Sequence, residues 1–69
     1  MSLDRYLVNH EHVHRLVVTP ELAGWEVREE EDATVLSIVH RDDWHRVERD
    51  LYRFELRSQA LKLAGWSEH

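Results

Sequence analysis

Histidines at positions 10, 12 and 14 alternate through Asn-His-Glu-His-Val-His. On an extended strand, side chains two residues apart share a face and root ~7 Å from one another. A pair such as His10–His12 or His12–His14 can therefore converge on one divalent metal through neutral imidazole nitrogens. The outer two stand about twice that distance apart. A full site thus needs a further ligand, with Glu11, His40, Asp42, Asp43 and His45 as candidates. The same histidines also suit a solvated strand edge or the loop before it. Their clustering makes the segment pH-sensitive, since imidazoles charge below about pH 6.5.

The densest polar cluster is His40-Arg41-Asp42-Asp43-Trp44-His45, which reads as a strand-to-helix junction. Asp42 or Asp43 suits a helix N-cap, and the junction is explained by capping and solvation. Nothing marks it as catalytic. The two glycines, Gly24 and Gly65, cannot build a phosphate-cradling loop, and Ser2, Ser37, Ser58 and Ser67 lie in no triad context. The chain has no cysteine, which excludes disulfides, thiolate metal sites and cysteine nucleophiles. A domain of 69 residues also offers little concave volume for a buried substrate. The expectation is a non-enzymatic protein.

Arg46, Arg49, Arg53 and Arg57 recur at three- and four-residue steps, interleaved with Glu48, Asp50 and Glu55. That pattern predicts a salt-bridged solvated helix face. Fourteen acids against nine bases give a net charge of −5. An acidic chain repels phosphate backbones in the mean field, so nucleic acid is not the expected partner. The longest apolar-rich run, Thr34 to Val39, is far too short to span a membrane, and the first residues lack the basic-then-apolar pattern of a signal peptide. A cytoplasmic location is the expectation.

Several elements must position these residues within a single domain, residues 1–69. Leu3, Tyr6 and Leu7 have helical spacing behind a possible Ser2 cap, which suggests a short amino-terminal helix or an extended arm. Residues 11–18 favour a strand. Thr19-Pro20-Glu21-Leu22-Ala23-Gly24 fits one helical turn with a glycine stop. Residues 25–30 alternate apolar and polar, as a strand with one solvated face does. A polar link at 30–33 leads into Thr34–Val39, a strand apolar on both faces. From about 42 to 64 the chain reads as one helix, ended by Gly65 with Trp66 packing back on Leu61. Leu-Ala-Gly-Trp occurs twice, at 22–25 and 63–66, as two stop signals rather than a repeat unit. The fold class is α+β in two layers: a three-stranded, mainly antiparallel sheet against one long carboxyl-terminal helix.

That helix carries two apolar stripes. Trp44, Val47, Leu51, Phe54, Ser58 and Leu61 form a wedge suited to the sheet. Tyr52, Leu56, Ala60 and Leu63 form a second wedge on another side. A helix of ~23 residues is ~35 Å long, whereas six- or seven-residue strands reach ~20–23 Å, so its carboxyl-terminal half should outrun the sheet. Stability points the same way. Scaling relations give ~4,600 Å² folded against ~12,000 Å² unfolded. Burial then contributes ~105 kcal/mol, about what ordering the residues costs at ~1.5 kcal/mol each. A domain so balanced gains from a second copy. The expectation is therefore a homodimeric interaction module using Tyr52, Leu56, Ala60 and Leu63, with Val35 and Val39 on the sheet side. Metal binding through His10, His12 and His14 is the alternative. An acidic nucleic-acid-associated regulator, or an unidentified protein partner, is a further one.

Overall fold

The computed structural model describes residues 2–69. The chain is α+β: strands β1 (Leu3–Asn9), β2 (His12–Glu21), β3 (Gly24–Glu31) and β4 (Thr34–Arg41), then helix α1 (Trp44–Leu63), then a two-residue strand β5 (Ser67–Glu68). The sheet is antiparallel, in the order β4-β3-β2-β1-β5, so the first four strands form a meander and the last closes beside the first. It has five strands where three were expected.

The first strand replaces the expected helix or arm. Leu3 and Leu7 have strand spacing as well as helical spacing, and both face α1 beside Leu16 and Val18 of β2. Arg5 lies between them on that inward face, which hides the alternation from a reading by polarity. Its guanidinium is satisfied there: Nε and Nη2 donate to Glu68 at 2.8 and 2.9 Å, and Nη2 lies 2.8 Å from Glu55. It also stands 5.3 Å from the Phe54 ring centre, a favourable place for a cation.

The helical turn expected over Thr19–Gly24 is absent. β2 runs to Glu21, and a two-residue turn, Leu22–Ala23, returns the chain to β3. Pro20 is tolerated because β1 begins opposite Val18, so β2 has no β1 neighbour beyond that point. Gly24 is required: its φ is 146°, and a Cβ there would lie 2.1 Å from the carbonyl oxygen of Arg41. At the next hairpin Asp32 and Ala33 both have positive φ, 52° and 67°, the signature of a type I′ turn whose twist matches the strands.

One side of the sheet holds the core. Leu7, Leu16, Val18 and Val27 pack against Val47 and Phe54 of α1, all nearly sealed from solvent. Trp44 meets Trp25 edge to face at 5.1 Å. The helix begins at Asp43, whose Oδ1 accepts from the amide of His45 at 2.9 Å. It ends as the sequence predicts. The amide of Gly65 donates to the carbonyl of Lys62 and that of Trp66 to Leu61, the paired bonds of a Schellman cap. Trp66 and Leu61 both pack on the core.

The inward stripe is as expected, with one addition. Asp50 is buried in it, receiving Arg41 Nε and Nη2 at 2.9 and 3.0 Å and Arg53 Nη2. Burial raises its carboxyl pKa, but the two guanidiniums more than offset this and hold it below the usual range. The helix does not outrun its cover. Its last turn is held by β5, with Lys62 2.9 Å from Glu68.

Candidate functional site

The three alternating histidines do not converge. His10 sits in the β1–β2 turn with φ 55°, outside either strand. His12 and His14 share the helix-side face, but each is already engaged. His12 Nδ1 lies 2.8 Å from Asp32 Oδ2, and the carboxylate holds the imidazole above its ordinary pKa by hydrogen bond and charge. The other Asp32 oxygen accepts from the Val13 amide. His14 is buried, stacked on Phe54 with ring centres 5.7 Å apart, and its Nε2 lies 2.9 Å from Glu29 Oε2 without hydrogen-bond alignment.

Among the described residues, one other trio offers metal-type donors within 4.8 Å of one another: Glu21, Glu26 and His40. The register that pairs Glu26 with His40 places them together on the sheet's open face. His40 Nδ1 lies 3.0 Å from both Glu21 oxygens, and the pair raises its pKa through hydrogen bonding and charge. This is a complete ion pair as it stands. Of the ligands considered from sequence, only His40 takes part. The two glutamates flank the β2–β3 turn and meet His40 only through the β3–β4 register, so no motif announces the trio.

The apolar candidates fall on opposite sides of the molecule. Tyr52, Leu56, Ala60 and Leu63 are exposed on the side of α1 that points away from the sheet, with Leu63 92% accessible. Val39 pairs with Val27 and is half-buried against the core. Val35 pairs with Glu30 and is exposed on the open face. A bulge explains the separation. The register passes from Glu29–Ser37 to Glu30–Val35, leaving Leu36 as an extra residue and inverting the faces beyond it. Leu36 and Ile38, about half exposed, join Val35 in making β4 apolar where it meets solvent.

The arginines complete the inventory. Arg57 pairs with Glu29 across the gap between helix and sheet, and Arg53 with Asp50. Between β4 and α1 lies a groove of about 240 Å³ whose walls include Val39, Phe54, Arg53 and Arg57. A smaller cleft of about 150 Å³ is lined by Arg41, Arg46, Arg49 and Arg53. Sequence spacing collected three of these four arginines. Arg41 joins them only because the β4–α1 junction folds back to the helix side. No helix is long and apolar enough to cross a membrane among the described residues. No known protein family, curated protein or solved structure matches the chain.

Proposed function

We propose that this chain is a small non-enzymatic interaction module that pairs with a second copy of itself along β4. The observation that supports this is the state of that strand. β4 ends the sheet, runs eight residues and exposes Val35, Leu36 and Ile38. An edge of this kind presents unpaired backbone donors and acceptors, and stable monomers usually blunt it with lysine, proline or a cover. β4 contains neither residue and has only its single bulge.

Charge favours a copy of the same strand. Thr34 to Val39 carries no charge, so its centre meets itself without repulsion. Antiparallel pairing brings the basic His40–Arg41 end of each strand toward the acidic Asp32 turn of the other. The pairing also closes. At the opposite edge the two-residue β5 covers β1 only at Leu7 and Val8. The stretch of β1 left open carries the charges of Asp4 and Arg5, a poor match for the uncharged centre of β4, so a two-fold dimer is favoured over a fibre. A standard interface of about 800 Å² per partner would take about one sixth of the 4868 Å² that one chain exposes.

Light scattering after size exclusion tests the reading. The expected mass is that of two chains, falling to one in Ile38→Lys and unchanged in Leu56→Glu. A single-chain mass at high micromolar concentration overturns it. So does a dimer that survives Ile38→Lys but is lost in Leu56→Glu, which would transfer the interface to the helix stripe.

A further inference from the structure

Nearly every cation of this protein has a carboxylate. Arg5, Arg15, Arg28, Arg41, Arg53, Arg57 and Lys62 each lie within 4 Å of one. Among the described residues Arg46 and Arg49 are the exceptions, although acids outnumber bases by five. The two unpaired cations are not scattered. Both line the cleft that Arg41 and Arg53 also line.

Four guanidiniums gathered at one place repel one another, and the arrangement is costly unless an anion compensates it. Asp50 compensates in part, and it also does something more specific. By taking Nε and Nη2 of Arg41 and Nη2 of Arg53, it fixes two of the four guanidiniums. Arg46 and Arg49 remain exposed, with their donors unspent. The cleft thus has a held half and an open half, with a net charge of +3 from four arginines and one aspartate. Planar guanidiniums of this kind match the oxygens of a phosphate bidentately. Its volume of about 150 Å³ is that of about five water molecules, enough for a phosphate group.

Beside the cleft, and sharing Arg49 and Arg53 with it, is a shallow depression lined by His45, Glu48 and Tyr52. The Tyr52 ring, 61% accessible, offers a flat apolar surface next to the charge. We propose that the cleft formed by Arg41, Arg46, Arg49 and Arg53 binds the phosphate of a small phosphate ester, whose organic part lies against Tyr52. Arg41 is also the last residue of β4, so the single-chain Ile38→Lys variant, titrated alongside the full chain, separates phosphate binding from pairing along that strand.

Calorimetric titration of the full chain at low salt, with pyrophosphate and separately with a nucleoside diphosphate, tests this. Both are expected to bind saturably at one site per chain, the nucleotide more tightly. The double variant Arg46→Gln, Arg49→Gln breaks no ion pair, so its melting temperature should hold while its affinity falls at least tenfold. Tyr52→Ala should weaken the nucleotide and leave pyrophosphate unchanged. The proposal is overturned if neither probe saturates by ~10 mM, which is weaker than about −2.7 kcal/mol. Equal binding by the double variant overturns it too. So does an oligonucleotide that binds more tightly and is not displaced by pyrophosphate, which would make the arginines a nucleic-acid surface.

Discussion

The two faces of the sheet come from the same strands and bear different loads. On the covered face Leu7, Leu16, Val18 and Val27 meet Val47 and Phe54, and charge is confined to bonded groups such as Arg5 with Glu68 and Asp50 with Arg41. On the open face the side chains form ion pairs near water: Asp4 with Arg15 between β1 and β2, Arg28 with Glu30 along β3, and His40 with Glu21. Exposed pairs of that kind contribute little, about 0–1 kcal/mol each. Stability therefore resides on one side of a single layer, and the other side is free to vary in chemistry without unfolding the chain.

The sharpest way to break this contrast is to delete equivalent apolar groups on each face. Leu7→Ala empties a site with no solvent exposure and should cost about 2–5 kcal/mol. Ile38→Ala, half exposed, should cost less than about 1 kcal/mol when measured by urea unfolding at a concentration where the chain is monomeric. Comparable losses would show that the open face is covered in the free chain. A smaller effect of opposite sign is expected at Ser58, fully buried on α1 with its hydroxyl unpartnered. Ser58→Ala should stabilise by about 1 kcal/mol, because an unsatisfied buried hydroxyl carries a desolvation cost. A destabilised variant would mean that the hydroxyl has a partner.

The smallest effect belongs to the rim of the covered face. Hydrogen bonds from Arg5 and then Lys62 lower the Glu68 pKa from 4.5 to about 2. Its native form thus binds protons less readily than its unfolded form, so its contribution is complete above pH 4.5 and is lost as pH falls toward 2. The melting temperature should decline across that window, and Glu68→Gln should flatten the decline. An unchanged slope would show that the β5 ion pairs do not couple to folding.

The helix was legible in the sequence almost to the residue. Its limits, its carboxyl-terminal cap and its inward stripe rest on local rules: Asp43 caps, Gly65 turns, and Val47, Phe54 and Ser58 recur at helical spacing. β3 and β4 were legible for the same reason. What was missed, β1, β5 and the last residues of β2, depends on partners elsewhere in the sheet and on α1. Arg5 is inward only because Glu55 and Glu68 come to meet it, and Pro20 lies in a strand only where β1 has yet to begin. β5 is too short to have any period. The candidate interface was legible in type but not in arrangement. One bulge at Leu36 turned Val35 away from Val39, a change no alternation pattern records. Three of the four members of the arginine cleft were visible, since they share the helix, and the fourth arrives through the chain reversal at its start.

The strand pairing also implies an order of assembly. Three hairpins with two-residue turns can zip from neighbouring residues, at little loop-closure cost. The contact of Leu7 with Glu68 and Val8 with Ser67 instead closes almost the entire chain into a ring. That clasp can form only after the helix has crossed the sheet, and it should be the first to release. Amide hydrogens of residues 67–69 should therefore exchange through local opening, well before those of β2 and β3 at the centre.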